Sequence, residues 1–269
     1  MAVPATPLVS VDRYGPVAVI TRRNPPVNAL TLAMTRELHS ILIDIGAAKD
    51  VRAIVMTADG GKAFGAGSDI SEFAELIRAG DVVERKMAFE NETFSLLANL
   101  DKPTIAALNG SAFGGGFEIA LACDLIVAEG GQRVGLPEIK LGLFPGSGGP
   151  VRLARRVGSG RAAEMILTGE PISVETGLRW GVVNKVVEPG EAIPYAIDWA
   201  QRLAHQSVSG LQACKRALRD AVFAVDGERA IRDSLELTRA AFAHPDAVEG
   251  AHAFLEKREP AFPSLVIAP

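Results

Sequence analysis

Residues 104–124 read TIAALNGSAFGGGFEIALACD, and this stretch constrains the fold more than any other in the chain. Thr104 to Leu108 is a short run apolar on both faces, the pattern of a strand covered on both sides, and Leu125 to Ala128 repeats it. The segment between them, Gly115 to Cys123, reads as a short helix. Three consecutive glycines at the strand-to-helix junction let the backbone approach a ligand closely and leave amide N–H groups unpaired at the helix start. Such a helix end favours negative charge, and two N–H donors there make an oxyanion hole for an ester or thioester oxygen. Glu118 lies in the first turn of this helix, either as a carboxylate complementing the helix dipole or as a catalytic group.

The same alternation extends in both directions. Val17 to Thr21 is a strand-like run closed by the turn-prone Asn24-Pro25-Pro26. Met34, Leu38, Ile41, Leu42 and Ile45 fall on one face of a helix beginning near Thr31. Ala53 to Thr57 is again apolar throughout, so the unit is βαβ. Residues 1–196 are expected to form an α/β core. From residue 197 strand-like runs stop, and Ala, Arg, Leu and Glu dominate a helical region over 197–269, punctuated by Gly227 and His244-Pro245 into about three helices. The proline-bearing end, Pro260 to Pro269, is expected at the surface.

Composition narrows the chemistry. The 269 residues carry 28 Lys+Arg against 32 Asp+Glu, a net charge of −4, which disfavours a general nucleic-acid or anionic-membrane binder. The two cysteines, Cys123 and Cys214, have no second Cys or His at ligand spacing, so they read as buried apolar residues in a reducing compartment, not as zinc ligands or a disulfide. The start, MAVPATPLVS, lacks the basic and apolar regions of a secretory signal, and the reading is cytoplasmic. No GxxxxGK[ST], GxSxG or HExxH motif occurs. The four histidines stand outside the glycine-rich stretches, and nothing suggests a metal.

Two further glycine-rich stretches remain. KAFGAGSDI, residues 62–70, follows a buried strand, where α/β proteins place ligands, and equally suits a turn into a helix capped by Asp69 or Ser71. GLPEIKLGLFPGSGG, residues 135–149, sets Glu138 among Leu136, Ile139, Leu141, Leu143 and Phe144. A carboxyl among apolar groups has its pKa raised, which suits a general acid near neutral pH, whereas an exposed Glu between buried neighbours would have no such role.

The chain resembles the enoyl-CoA hydratase/isomerase, or crotonase, family. The resemblance rests on six blocks in order, PPVNAL, KAFGAGSDI, DKPTIAALNGSAFGGGFEIALACD, GLPEIKLGLFPGSGGPVRL, ILTGEPISVETGLRWGVVNKVV and DAVEGAHAFLEKREPAF, and covers nearly the whole length. It implies a spiral of ββα repeats with a helical C-terminal domain used in trimer formation, trimers often pairing into hexamers. It also implies a coenzyme A thioester as substrate and no separate cofactor. Carried over by motif, the oxyanion donors are the backbone N–H groups of Ser68 and Gly115, and the two hydratase glutamates are Glu118 and Glu138. For coenzyme A, the resemblance implies contacts from Ala66 and the backbone around Asp69 and Ile70, with Arg22 or Arg23 meeting the phosphates. Phe254 and Lys257 would reach the adenine end from a neighbouring subunit. Ser68 stands where relatives often carry Ala, and Phe117, where a smaller residue is common, would narrow the acyl pocket.

These expectations point to addition of water across the 2,3 double bond of a 2-enoyl-CoA, giving a 3-hydroxyacyl-CoA, in β-oxidation or related acyl-CoA catabolism. The alternatives are a Δ3,Δ2-enoyl-CoA isomerase or dual hydratase/isomerase using Glu138 as the proton shuttle, and an inactive acyl-CoA-binding member of the family.

Overall fold

The computed structural model describes residues 7–60, 62–223 and 227–266. Two sheets organise the core. The larger has six strands in the order β1(Val9–Tyr14), β2(Val17–Arg22), β3(Ala53–Ala58), β5(Thr104–Leu108), β7(Leu125–Glu129) and β10(Lys185–Val187), parallel apart from the β1–β2 hairpin. The smaller has the order β4(Ala63–Gly65), β6(Ser111–Phe113), β8(Arg133–Gly135) and β9(Ile172–Ser173). Each of β3, β5 and β7 is followed by its neighbour in the smaller sheet, and then by helix: α2(Ile70–Ala79) after β4, α4(Gly115–Ala122) after β6, and α5(Gly149–Val157) beyond β8. These are successive ββα turns of a spiral.

The continuous apolar strands have helices on both sides. Ala18, Ile20, Ile54, Met56, Ala106 and Ile126 join a core with Met34, Leu38, Leu42 and Ile45 of α1(Leu32–Ala47) and with Phe94 and Leu97 of α3(Ala88–Asn99). Alternate residues Val17, Val19, Val55, Ile105 and Val127 face the opposite way. They are covered by Ala192, Ala196, Ala200 and Ala204 of α8(Ala192–Ala204). Alanine at every fourth position gives α8 a stripe without bulk, so its axis lies close to the sheet. Helix α1 starts as its pattern indicates, with Thr31 as N-cap accepting from the Met34 N–H at 3.1 Å. α6(Ser159–Thr168) and α7(Val174–Trp180) complete this part.

The expected division between residues 196 and 197 falls inside α8, which packs on the sheet. The helices beyond it are α9(Val208–Phe223), α10(Gly227–Ala243) and α11(Pro245–Glu256), followed by a 3-10 turn at Pro263–Leu265. That turn is pinned, since Asp246 accepts from the Ser264 N–H at 2.9 Å; residues 267–269 lie outside the described set. Strand β1 was not legible as a strand in VSVDRY. Cys123 is buried, but Cys214, on the helix Val208–Phe223, is exposed. No helix among the described residues is long and apolar enough to cross a membrane.

Candidate active site

The first and second glycine-rich stretches meet at one wall of a cavity of about 80 Å³, and the third closes it. Leu30 pairs with Ser68 in a parallel bridge: the Leu30 N–H donates to the Gly67 carbonyl at 2.8 Å and the Asp69 N–H to the Leu30 carbonyl at 2.9 Å. These bonds leave the Ser68 N–H between them without an acceptor among the described residues. Gly114 is the N-cap of α4 with φ 53°, a left-handed setting that glycine adopts without strain, and the Gly115 N–H that follows also has no acceptor among the described residues. A Cβ at Gly115 would lie 3.9 Å from the Ser68 nitrogen, so the two uncommitted amides are neighbours at a helix N-terminus. Gly116 packs α4 directly against β4: a Cβ there would lie 2.5 Å from the Gly65 carbonyl oxygen.

Glu118, one turn into α4, is 2% exposed. Its Oε1 accepts from the Ser147 N–H at 2.9 Å and the Gly149 N–H at 2.7 Å. Arg152 holds the same loop, donating to the Ser147 carbonyl at 2.7 Å. Glu138 begins a 3-10 turn, Glu138–Leu141, and its Oε2 is buried with no hydrogen-bond partner. Desolvation pushes both carboxyls up, Glu118 to about 8 and Glu138 to about 7, and the charge of Glu138 adds to the rise at Glu118. The pair therefore keeps a proton near neutrality. Two amides aimed at one oxygen of Glu118 oppose the rise there, and the orphaned buried oxygen of Glu138 adds to the cost of its charge, but burial leaves Glu118 the higher of the two. This arrangement can hold a growing negative charge, accept one proton and donate another.

The cavity brings together Ala66, Ser68, Ile70, Gly115, Glu118 and Glu138. Asp69 stands beside it but is engaged elsewhere, its carboxylate accepting from the Ser71 N–H at 2.9 Å and its own N–H committed to Leu30. Thus KAFGAGSDI is both a pocket wall and a capped helix entry. Arg22 is not available to phosphates: it is fully buried, its guanidinium carbon lies 4.4 Å from the centre of the Phe64 ring, and it donates to the Phe64 carbonyl at 2.8 Å. Burial lowers its pKa to about 10. Arg23 is half-exposed and paired with Asp59 at 2.7 Å. Phe254 and Lys257 lie on or just after α11, exposed and outside the cavity of this chain. Phe117 does not narrow the pocket, because it turns into the core and is fully buried. Of the expected apolar shell around Glu138, Leu136 is buried whereas Ile139, Leu141 and Phe144 are exposed.

Sequence reasoning missed Ser147 and Gly149, whose amides grip Glu118, and Arg152, which holds their loop. The run PGSGG was the only signal for them, as a loop feeding amides toward a helix start. Among the described residues no group of three or more His, Cys, Asp or Glu side chains could hold a metal ion.

Residues 12–264 match the model of the enoyl-CoA hydratase/isomerase family. The short-chain-enoyl-CoA hydratase of Clostridium acetobutylicum is 37% identical over 253 residues, which cover 93% of this chain and 95% of that protein. The carnitinyl-CoA dehydratase of Citrobacter koseri is 37% identical over 251 residues, covering 92% and 95%. Among solved structures, the enoyl-CoA hydratase of Bacillus anthracis superposes with a TM-score of 0.88 at 33% identity, covering 96% of this chain and 99% of that one. Sequence, spiral and paired glutamates agree, and the chain is an enzyme of the enoyl-CoA hydratase/isomerase family with the crotonase fold.

Proposed function

We propose that this enzyme adds water across the 2,3 double bond of a short-chain 2-enoyl-CoA to give the 3-hydroxyacyl-CoA. The observation that carries this reading is the convergence of Glu118, Glu138 and the uncommitted Ser68 and Gly115 amides on one small cavity. The thioester carbonyl accepts from the two amides, whose hydrogen bonds strengthen as the oxygen takes on enolate charge. Losing one such donor costs on the order of 2.7–4 kcal/mol of barrier elsewhere. Glu118, ionised and held through Oε1, orients water with its other oxygen and takes its proton. Glu138, protonated, delivers a proton to the carbon beside the carbonyl. All these groups belong to the chain itself, so the reaction as written uses no separate cofactor.

The short-chain reading is supported by the relative from Clostridium acetobutylicum, which is named for short chains. The test is an activity panel from crotonyl-CoA upward, followed by the absorbance of the conjugated enoyl thioester. Loss of that absorbance supports hydration; its appearance from a 3-enoyl-CoA without hydration would instead assign a Δ3,Δ2-isomerase. The exposed Phe242, Phe254 and Leu255 of α10 and α11 support burial against further copies in a trimer or hexamer, with Phe254 and Lys257 serving a neighbour's adenine. Sedimentation in solution checks the assembly.

A further inference from the structure

At the wall of the cavity, with Glu90 among its lining residues, lies a buried charged cluster that the proposed chemistry does not use. Lys86, in a π-helical turn at Val83–Met87, is fully buried. It donates to Glu72 Oε2 at 2.8 Å and to the Leu30 carbonyl at 3.2 Å, and lies 3.4 Å from Glu90 Oε1. Glu90, on α3, is 1% exposed. Its Oε2 accepts from Ser147 Oγ at 3.0 Å and its Oε1 from Ser68 Oγ at 3.4 Å. Burial raises the Glu90 carboxyl, and Lys86 and the two hydroxyls draw it back toward ionisation.

A buried ion pair is weak as a source of stability, since desolvation offsets much of the attraction. Its partners here point to another role. The two serines that Glu90 joins are the two whose backbone amides face the chemistry: the Ser68 N–H is uncommitted beside Gly115, and the Ser147 N–H donates to Glu118. Lys86 meanwhile grips the carbonyl of Leu30, the residue bridged to Ser68. We propose that Glu90 is a positioning residue that ties the Ser68 strand to the Ser147 loop, fixing the oxyanion amide and the Glu118 carboxylate in one relative geometry, with Lys86 as its counter-charge. This rests on the hydratase reading of Ser68 and Glu118.

The test is a double-mutant cycle on crotonyl-CoA hydration with Glu90→Gln, Ser147→Ala and the pair, alongside Glu118→Gln. Because misplacement of reacting groups by about 1 Å costs on the order of 100-fold, Glu90→Gln is expected to lower kcat by about 10- to 100-fold. KM should stay within roughly threefold, as expected when the lost interaction serves the transition state. Ser147→Ala, which removes one oxygen atom, should lower kcat by about 5- to 10-fold, and the double variant should fall little below Glu90→Gln alone. Unchanged kcat in folded Glu90→Gln, or single losses that simply multiply, would overturn the proposal. If Glu90→Gln does not fold, full kcat in Ser147→Ala overturns it alone. Full activity in Glu118→Gln would instead overturn the hydratase reading, so the two failures are distinguishable.

Discussion

The Ser147 N–H donates to Glu118 Oε1 at 2.9 Å, across 29 residues of chain. With the Gly149 N–H on the same oxygen, this bond leaves the second carboxylate oxygen of Glu118 as the one free to meet water. On the proposed mechanism it also makes the loop after Phe144 part of the catalytic machinery and not merely its cover.

Paired raised carboxyls set the pH response. The proposed mechanism needs one proton on the pair, placed on Glu138 with Glu118 ionised; the singly protonated pair peaks between the two titrations, and with Glu118 at about 8 above Glu138 at about 7 this placement is the minor of its two arrangements. The profile of kcat/KM is expected to be a bell with limbs near about 7 and about 8, belonging to the pair jointly. A profile flat from about pH 5 to about pH 9 would count against the coupled carboxyls.

Stability should follow the same groups. Glu118, raised from 4.5 to about 8, binds a proton more tightly folded than unfolded. Its favourable contribution is whole below the unfolded value and is lost as pH rises through the folded one. Melting temperature should therefore fall from about pH 5 to about pH 9, and fall less in Glu118→Gln, whose side chain stays neutral throughout. Equal slopes in the two proteins would contradict the assignment.

Arg22 supplies a contrast. Among the described residues its Nε and Nη1 are buried without partners, and no carboxylate pairs with it. Replacing a buried charge by an apolar side chain of similar size is often neutral or stabilising. Arg22→Met is expected to leave melting temperature unchanged or higher and KM for the CoA ester within roughly threefold, since the guanidinium does not reach the phosphates. A large rise in KM would restore a ligand role.

Gly116→Ala tests the contact that seats the oxyanion helix. The added Cβ would stand 2.5 Å from the Gly65 carbonyl, a backbone atom that cannot swing aside. Overpacking of this kind costs about 1–3 kcal/mol, so lower melting temperature and lower kcat are expected together. Wild-type values for both would mean that α4 and β4 separate freely.

The strands β2, β3, β5 and β7, helix α1 with its Thr31 cap, and the two glutamates were legible because each is written in local pattern: apolar runs, a 3.6-residue stripe, glycines before a helix. Strand β1 was not, since its alternation carries Asp12 and Arg13 on exposed positions of an edge strand. Arg22 read as a surface cation because nothing in VAVITR shows the Phe64 ring it packs on, 42 residues away. Glu90 and Ser147 were invisible for the same reason: their bond spans 57 residues, and the charged run around Lys86 looks like any solvated helix face until Leu30, Glu72 and Glu90 close over it.

The central claim is that one carboxylate activates water while the other delivers the proton. The most direct measurement is hydration of crotonyl-CoA by Glu118→Gln and Glu138→Gln, each paired with a binding measurement on the same ester. Both variants are expected to lose on the order of 100- to 10,000-fold in kcat. The dissociation constant for the ester should remain within roughly threefold of the parent value, because neither carboxyl is needed to hold the coenzyme A portion. Full hydration by either variant would contradict the two-carboxylate account.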